Sequence, residues 1–470
     1  MSLSTALNVA SSGLATTQVR AQVVSENIAN AMNANYVRRE AVLVSTSSGG
    51  VQVSQVTREV DDALVRMSRS EGSKAAHQQA IYEALKTYTT YLGEPGDGLS
   101  LADKFSNFNT TLTTLVNMPS STEAQSAAVY AAEDLAASIR NTSGMLSEVS
   151  ADVDMEIRYE VADLNQTLYD LAELNSKVGK FESGTLETAN LSDQMDSLLD
   201  QVSEIVGVRI NYNADKTVSL YTTGGAALLE GTQVQDVTYN SADGTFYAGK
   251  TEITPNKTGV RGIEEGSLVG FAELKNEILP EFQLQLDEYA RGLIQAFEAA
   301  DASLSAGEAG LFTDKGNAFD ASKLDGLASR IAVNEAVSHD GDAETWRIRD
   351  GMGVDEEGAV ADATQVQAYI DVLDTKVDAD PATGLSPSIS LADFASAVVT
   401  AQALTRSRAE SNYSAAASAA ELVQASRDNV AGVNIDDEVQ QLMLIERSYV
   451  ANSKVLTAVS DMLDALLAAV

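Results

Sequence analysis

Cysteine is absent from the 470 residues, and histidine occurs only at His77 and His339. Disulfides and thiolate metal sites are thereby excluded, and two separated histidines do not build a metal cluster. Aromatic residues supply only 6% of the chain and proline only six positions, so the apolar content rests on Ala, Leu and Val, a composition that favours packed helices. No stretch approaches the roughly 20 apolar residues a spanning helix needs, and no membrane insertion is expected. The first residues, MSLSTALNVASSGLA, lack a basic segment followed by a dense apolar one, so a cleavable secretion signal is not expected and export would need another route. Basic charge is scarce as well. The 31 Lys and Arg face 68 Asp and Glu for a net of −37, with residues 1–39 at +2 and the remainder at −39. Such a surface repels nucleic acid and anionic lipid, and neither is expected as a partner.

What the chain does have is concentrated at its two ends. Leu3, Leu7, Ala10, Leu14, Thr17, Ala21, Val24, Ile28 and Ala31 recur at alternating spacings of four and three. This is the 3.5-residue period of a coiled-coil seam. Leu442, Ile445, Tyr449, Asn452, Leu456, Val459, Leu463, Leu466 and Val470 repeat the pattern at the other end. An ordinary surface helix packed on its own domain would satisfy the same spacing, but its outer face would carry Lys and Glu. Here only Arg20 and Glu26 are charged between Ser2 and Asn35, and the opposite face shows Ser11, Gln18, Gln22, Ser25, Asn27 and Asn30. A polar, uncharged face is far cheaper to bury than a charged one, so these helices suit burial on several sides. The nine N-terminal positions extend about 43 Å as a helix. Alone each helix is marginal; pairing buries its large apolar members at roughly 1.5–3 kcal/mol apiece.

Inside the ends, Val51, Val53 and Val56 alternate as in a strand, and a helix is expected from about Val60 to Leu92, ended by Gly93 and Pro95. A second follows over about Leu101–Val116, stopped by Pro119. Ser120, Ser121 and Thr122 then offer caps for a long helix reaching Lys177, with Ile157, Val161, Leu164, Leu168 and Leu171 on one face. Character changes near residue 205: Val206 to Tyr221 reads as a hairpin about Asn213, Ala214 and Asp215, with further short strands to about Val260. Helix returns from Leu268 to about Ala300, carrying Phe282, Leu286, Tyr289 and Leu293 in phase. Residues 301–390 are rich in Gly and Asp and irregular, with a strand at Arg330–Val333 and a helix near Gln365–Leu373. A final long helix runs from Leu391 to about Val430, before Gly432. The expected fold is mainly α with a β-containing insertion. The terminal helices pair as a coiled-coil inner domain (1–50 with 432–470), and a long-helix bundle follows (51–204 with 263–300 and 391–431). A small β-rich outer domain covers 205–262, and 301–390 form a mixed segment.

Chemistry-bearing patterns are few. Gly244-Thr245-Phe246-Tyr247-Ala248-Gly249-Lys250-Thr251 satisfies the phosphate-loop expression, but that loop works only between a buried strand and a helix N-terminus. Pro255 lies four residues on, no apolar helix follows, and Asp243-Gly244 reads as a hairpin turn. A nucleotide-binding enzyme is therefore the remote reading, and no catalytic residue, cofactor or metal is expected. Asp340 and Asp342, and Asp374, Asp378 and Asp380, lack the spacing of a calcium loop. His77 reads as an exposed helical residue and His339 as a loop residue without partners, while Trp346 reads as a core or interface residue.

With both ends in view, the sequence resembles the flagellar rod, hook and hook-associated axial proteins. Asn27-Ile28-Ala29-Asn30 followed by Tyr36 and Arg38 looks like the family's N-terminal signature. At the other end the match rests on Gly432-Val433-Asn434 with Asp436, Asp437 and Glu438, and on Arg447-Ser448-Tyr449 with Ala451 and Asn452. One departure is Met32-Asn33-Ala34-Asn35 where the family usually has Thr-Pro-Gly. Asn33 and Asn35 tolerate left-handed turn geometry, so the turn can survive. The long helices directly inside both ends favour the hook-associated branch over hook or distal rod siblings. The resemblance implies a structural, non-enzymatic subunit, exported by the flagellar type III apparatus to the extracellular flagellum, with a cytoplasmic chaperone masking its C-terminal helix. It implies a homo-oligomeric ring between the hook protein and a second hook–filament junction protein. Self-assembly is expected to rest on Leu7, Leu14, Val24, Asn27, Ile28, Asn30 and Tyr36 at one end. At the other it is expected to rest on Leu442, Ile445, Tyr449, Asn452, Leu456, Leu463 and Leu466.

Overall fold

The computed structural model describes residues 3–468 apart from 34, 48, 94, 95, 97, 182 and 183 and the side chain of Tyr91. The expectations at Ala34, Pro95 and Val470 lie outside the described residues. The chain opens with α1 (Leu3–Ala29), followed by the antiparallel ribbon β1 (Arg39–Ser45) and β2 (Val51–Arg58). Only the second strand was visible as alternation. The ladder slips between Val42 and Leu43, where Ser54 of β2 is the extra residue; β1 itself carries the continuous apolar run Ala41-Val42-Leu43-Val44 in place of the alternation by which a half-buried strand is recognised.

Next come α2 (Asp62–Leu92), α3 (Leu101–Asn117), α4 (Thr122–Val178) and α5 (Leu186–Ile205). Ser100 caps α3 by accepting the Asp103 N–H, and the Ser121 hydroxyl accepts the Ala124 N–H at the start of α4. Thr185 and Thr188 form a reciprocal capping box on α5.

The insertion then folds as two small antiparallel sheets. One has the order β3 (Val208–Tyr212), β4 (Val218–Thr222), β5 (Ala227–Glu230), β6 (Gln233–Val234). The other has β7 (Val237–Asn240), β8 (Thr245–Ala248), β9 (Thr251–Glu252). The β3–β4 turn closes with the Asn213 N–H donated to Thr217 O, and Lys216 takes the left-handed position at φ 68°. Two asparagines of α4 clip the sheets in place. Asn165 donates to Val237 O and accepts its N–H (2.8 and 2.7 Å); Asn175 does the same with Val218 (2.8 and 2.9 Å). Each amide replaces one rung of a β-ladder, pairing both backbone groups of Val237 and of Val218.

The expected helix over Leu268–Ala300 is interrupted. It is α6 (Ser267–Glu273), one π-helical stretch (Leu274–Ile278) and α7 (Leu279–Ala300). Pro280 lies at the start of α7, where it has no N–H to donate and its ring crowds the preceding turn, so the helix widens just before it. The 301–390 segment holds β10 (Phe312–Asp314) paired with β11 (Ile331–Val333), then α8 (Arg347–Asp350) and α9 (Thr364–Leu373). The pair β12 (Lys376–Asp378) and β13 (Ser388–Ser390) completes it. The chain closes with α10 (Leu391–Ala431) and α11 (Ile435–Ala468).

Two compact units emerge, the first from Met1–His77, Tyr159–Val269 and Ser414–Val470, the second from Gln78–Arg158 and Gly270–Tyr413. In the first, Leu164, Leu168, Leu199, Val202, Leu220 and Leu228 are fully buried. In the second the core is aromatic: Phe297 packs on Phe108, Phe312 and Tyr369 with ring centroids 5.0–5.7 Å apart. A buried hydrogen-bond chain, Tyr88 OH to Gln402 Oε1, Gln402 Nε2 to Gln285 Oε1 and Gln285 Nε2 to Thr383 O, fixes the register of its helices.

Candidate assembly site at the chain ends

The helices α1 and α11 pack along each other. On α1, Ala10, Gly13, Thr17 and Val24 are buried, and Leu7, Leu14 and Ile28 are half-buried. On α11 the buried residues are Glu438, Ile445 and Val459, with Asn452, Leu456 and Leu463 half-buried between and beyond them. Three expected seam residues are not on this line: Leu442, Tyr449 and Leu466 are 36%, 52% and 53% exposed. The covered line passes instead through Gln441 and Ser448, because a single partner helix covers one narrow stripe and leaves the apolar shoulders open. Val439, Leu444, Val455 and Met462 are exposed on those shoulders as well. On α1 the exposed positions Ser4, Asn8, Ser11, Gln18, Gln22 and Ser25, with Ala15 and Ala29 in phase, form an uncharged stripe at spacings of three and four.

The two helices approach closely at Gly13, against which the Asn452 side chain packs. A Cβ there would stand 2.7 Å from Asn452 Nδ2 and 2.9 Å from its Cγ, which gives the glycine a reason inside a helix that it otherwise weakens by about 1 kcal/mol.

Beyond the end of α1 the signature residues converge. Asn27 is fully buried; its Nδ2 donates to Glu438 Oε2 and to Arg39 O, both at 3.0 Å, while its Oδ1 accepts from Tyr36 OH (2.8 Å) and the Arg39 N–H (3.1 Å). Arg38 Nε donates to the other oxygen of Glu438 at 2.8 Å and its guanidinium also meets Glu59. Asn30 closes the helix end on Glu26 O. The turn that replaces the usual Thr-Pro-Gly is held by the Tyr36 N–H on Asn33 O and the Asn35 N–H on the Asn33 side chain. Burial pushes the Tyr36 hydroxyl up to about 12, against the pull of Arg39, so it remains a donor to Asn27.

A second layer lay outside the sequence reading. Along α5, Asp193, Asp196 and Asp200 stand on one face and alternate with four arginines from distant segments. Arg39 and Arg58 pair with Asp193 (2.5 and 2.7 Å), Arg58 and Arg69 with Asp196 (2.6 and 2.9 Å), and Arg69 and Arg427 with Asp200 (2.6 and 2.9 Å). Burial works against the charge on Asp196, yet Arg58 and Arg69 hold it below the ordinary carboxylate range. At Asp193 burial prevails over Arg58 and Arg39, and its carboxyl is raised. The spacing of the aspartates, i, i+3 and i+7, was the available signal, but among 68 acids it did not stand out. Two clefts of about 500 and 410 Å³ flank the turn after α1, sharing Asn30, Asn33, Tyr36 and Asp193 in their walls. Their walls carry mixed charges and amides. Among the described residues no group of three His, Asp or Glu is placed to hold a metal.

The remaining sequence candidates lie elsewhere. The phosphate-loop expression falls on β8 and β9, where the Gly249 N–H goes to Asp236 O, the Phe246 N–H to the Thr254 hydroxyl and the Ile253 N–H to Phe246 O. Those groups serve a meander and do not converge on an anion. His339 does have partners: its Nδ1 lies 3.1 Å from Glu133 Oε2 and its ring stacks on Tyr130. Trp346 is half-buried with the Arg347 guanidinium over its ring. No helix among the described residues is long and apolar enough to cross a membrane.

The interior and the C-terminal end both match flagellar proteins. The profile of the flagellar hook-associated protein FlgK helical domain matches residues 85–310, and that of the flagellar basal body rod FlgEFG protein C-terminal region matches residues 419–469. Flagellar hook-associated protein 1 of Salmonella typhimurium is 28% identical over 318 residues, which is 63% of this chain and 56% of that protein. The Escherichia coli K12 protein of the same name is 26% identical over 65% of this chain and 59% of its own length. The chain thus matches little more than half of either. The Bacillus subtilis protein is 23% identical over 97% of this chain and 96% of its own. A solved structure, the flagellar hook junction protein FlgK from Burkholderia pseudomallei, superposes over 53% of this chain and 46% of that one. Its TM-score of 0.43 at 19% identity is too partial to carry an argument. The helical-domain match, the C-terminal match and these relatives thus all point the same way: the chain is similar to flagellar hook-associated protein 1.

Proposed function

We propose that this chain is a structural subunit of the bacterial flagellum that self-assembles at the junction between hook and filament. The observation that carries the reading is the state of the paired terminal helices. They bury one stripe against each other, yet Leu442, Tyr449 and Leu466 on α11 remain exposed, beside a face of α1 without charge. Neighbouring copies of the same helix pair are the partners that such surfaces fit, because apolar shoulders and uncharged polar faces are buried at low desolvation cost. The subunit is exported by the flagellar type III apparatus, with a cytoplasmic chaperone on the exposed apolar shoulder of α11, and joins the hook protein to a second junction protein. No catalytic role is assigned to it. Deleting residues 436–470 abolishes incorporation, and electron microscopy of the mutant cells shows hooks without filaments while the purified remainder keeps its second unit folded. A truncated chain that still builds continuous filaments would overturn the reading.

A further inference from the structure

The alternating chain of charges on α5 is graded in exposure. At its inner end the Arg39 and Asp193 side chains are 1% and 10% exposed; at its outer end Asp200 is 31% and Arg427 15% exposed. The outer end also holds the segment with the least apolar support. The buried residues of α10 are Leu391, Phe394, Ala395, Val398, Val399, Gln402 and Ala409, and from Glu410 to Ala431 no residue is buried. What fastens its last turns is polar. Arg427 pairs with Asp200, Gln424 accepts from the Ser68 hydroxyl at 2.7 Å, and the Arg38 N–H donates to Ala431 O at 2.8 Å. The Ala-rich run SAAASAAELVQAS favours helix on its own propensity, but a helix end without packing is marginal, so once off α5 the turns after it fray and expose their amides.

We propose that the Asp200–Arg427 pair is an ionic-strength-controlled latch for the end of α10, opening before the inner pairs and before the Asn27–Glu438 contact. A partly exposed pair is screened by salt, whereas a buried one is screened much less. The polarity of opening therefore follows the gradient of exposure: the stretch around 420–431 is released while α1, α11 and the Arg39–Asp193 pair stay closed. The latch is independent of the assembly reading, since it concerns a single chain.

Amide hydrogen exchange on the full chain tests it, between about 0.01 M and about 1 M salt, across which the Debye length falls from about 30 Å to about 3 Å. Exchange in 420–431 and at Arg38, whose N–H is held by Ala431 O, rises several-fold with salt, while 27–37 and 435–445 change little. Asp200→Asn gives the fast exchange already at low salt and removes the salt response; Asp200→Glu restores it. Exchange in 420–431 that ignores both salt and Asp200→Asn overturns the proposal. A rise that appears equally across 27–37 does so too, because the segments would then open together.

Discussion

Asn27 uses every hydrogen-bonding site its amide possesses, two donors and two acceptor positions, in a place closed to water. Truncation leaves several of those partners buried and unpaired, and each such group costs about 1–3 kcal/mol. Asn27→Ala is expected to lower stability by roughly 3 kcal/mol, and Tyr36→Phe, which removes one bond and leaves one acceptor, by about 1 kcal/mol. Urea unfolding measures both, and equal losses would mean that the amide is no hub. Charge at Asp196 carries a definite sign with pH. Its folded-state value is depressed, so its contribution is present above its unfolded value and is lost as pH falls through the folded one. Asp193, raised by burial, acts in the opposite sense, with its contribution lost as pH rises. Acid therefore weakens the wild type more steeply than it weakens Asp196→Asn; a mutant that is the more acid-sensitive of the two contradicts the assignment.

Among the elements, α1 and α11 were legible because a seam repeated over nine positions leaves a strong period, and α2 to α4 because Gly93, Pro119 and Ser121 mark their ends. The hairpin at Asn213 was legible from its turn residues. What was hidden shares a physical cause. The bulge at Ser54 of β2, the π-helical stretch before Pro280 and the charge ladder of α5 all depend on partners far away in sequence or on one-residue insertions, and neither leaves a local period. The same cause displaced the covered line of α11 from Leu442 and Tyr449 to Gln441 and Ser448. Heptad spacing says that a helix is apolar over an arc, and the partner decides which part of the arc is used. At Gly13 the partner leaves no room. Gly13→Leu gains helix propensity of nearly 1 kcal/mol but loses more through overpacking against Asn452, typically 1–3 kcal/mol. Melting of the terminal pair, followed by circular dichroism, is expected to move to lower temperature, and an unchanged or raised transition would place the contact elsewhere.

For the whole molecule the governing quantity is the net charge of −37, almost all of it inside the ends. Copies of such a chain repel one another until salt screens them, whereas the proposed contacts along α1 and α11 carry little charge. Self-association, followed by light scattering, therefore strengthens as salt is added, although the same salt loosens the end of α10. Assembly through the terminal helix pair requires the two chain ends to meet within one molecule. The absence of native cysteine makes this directly measurable, because a Cβ at residue 13 would stand 2.9 Å from Asn452 Cγ, close enough for a disulfide between these positions. Under oxidation of the dilute Gly13→Cys, Asn452→Cys double variant, the account predicts a single intramolecular bond, seen as a monomer of increased mobility in non-reducing electrophoresis. Free thiols, or linkage only between chains, would contradict it.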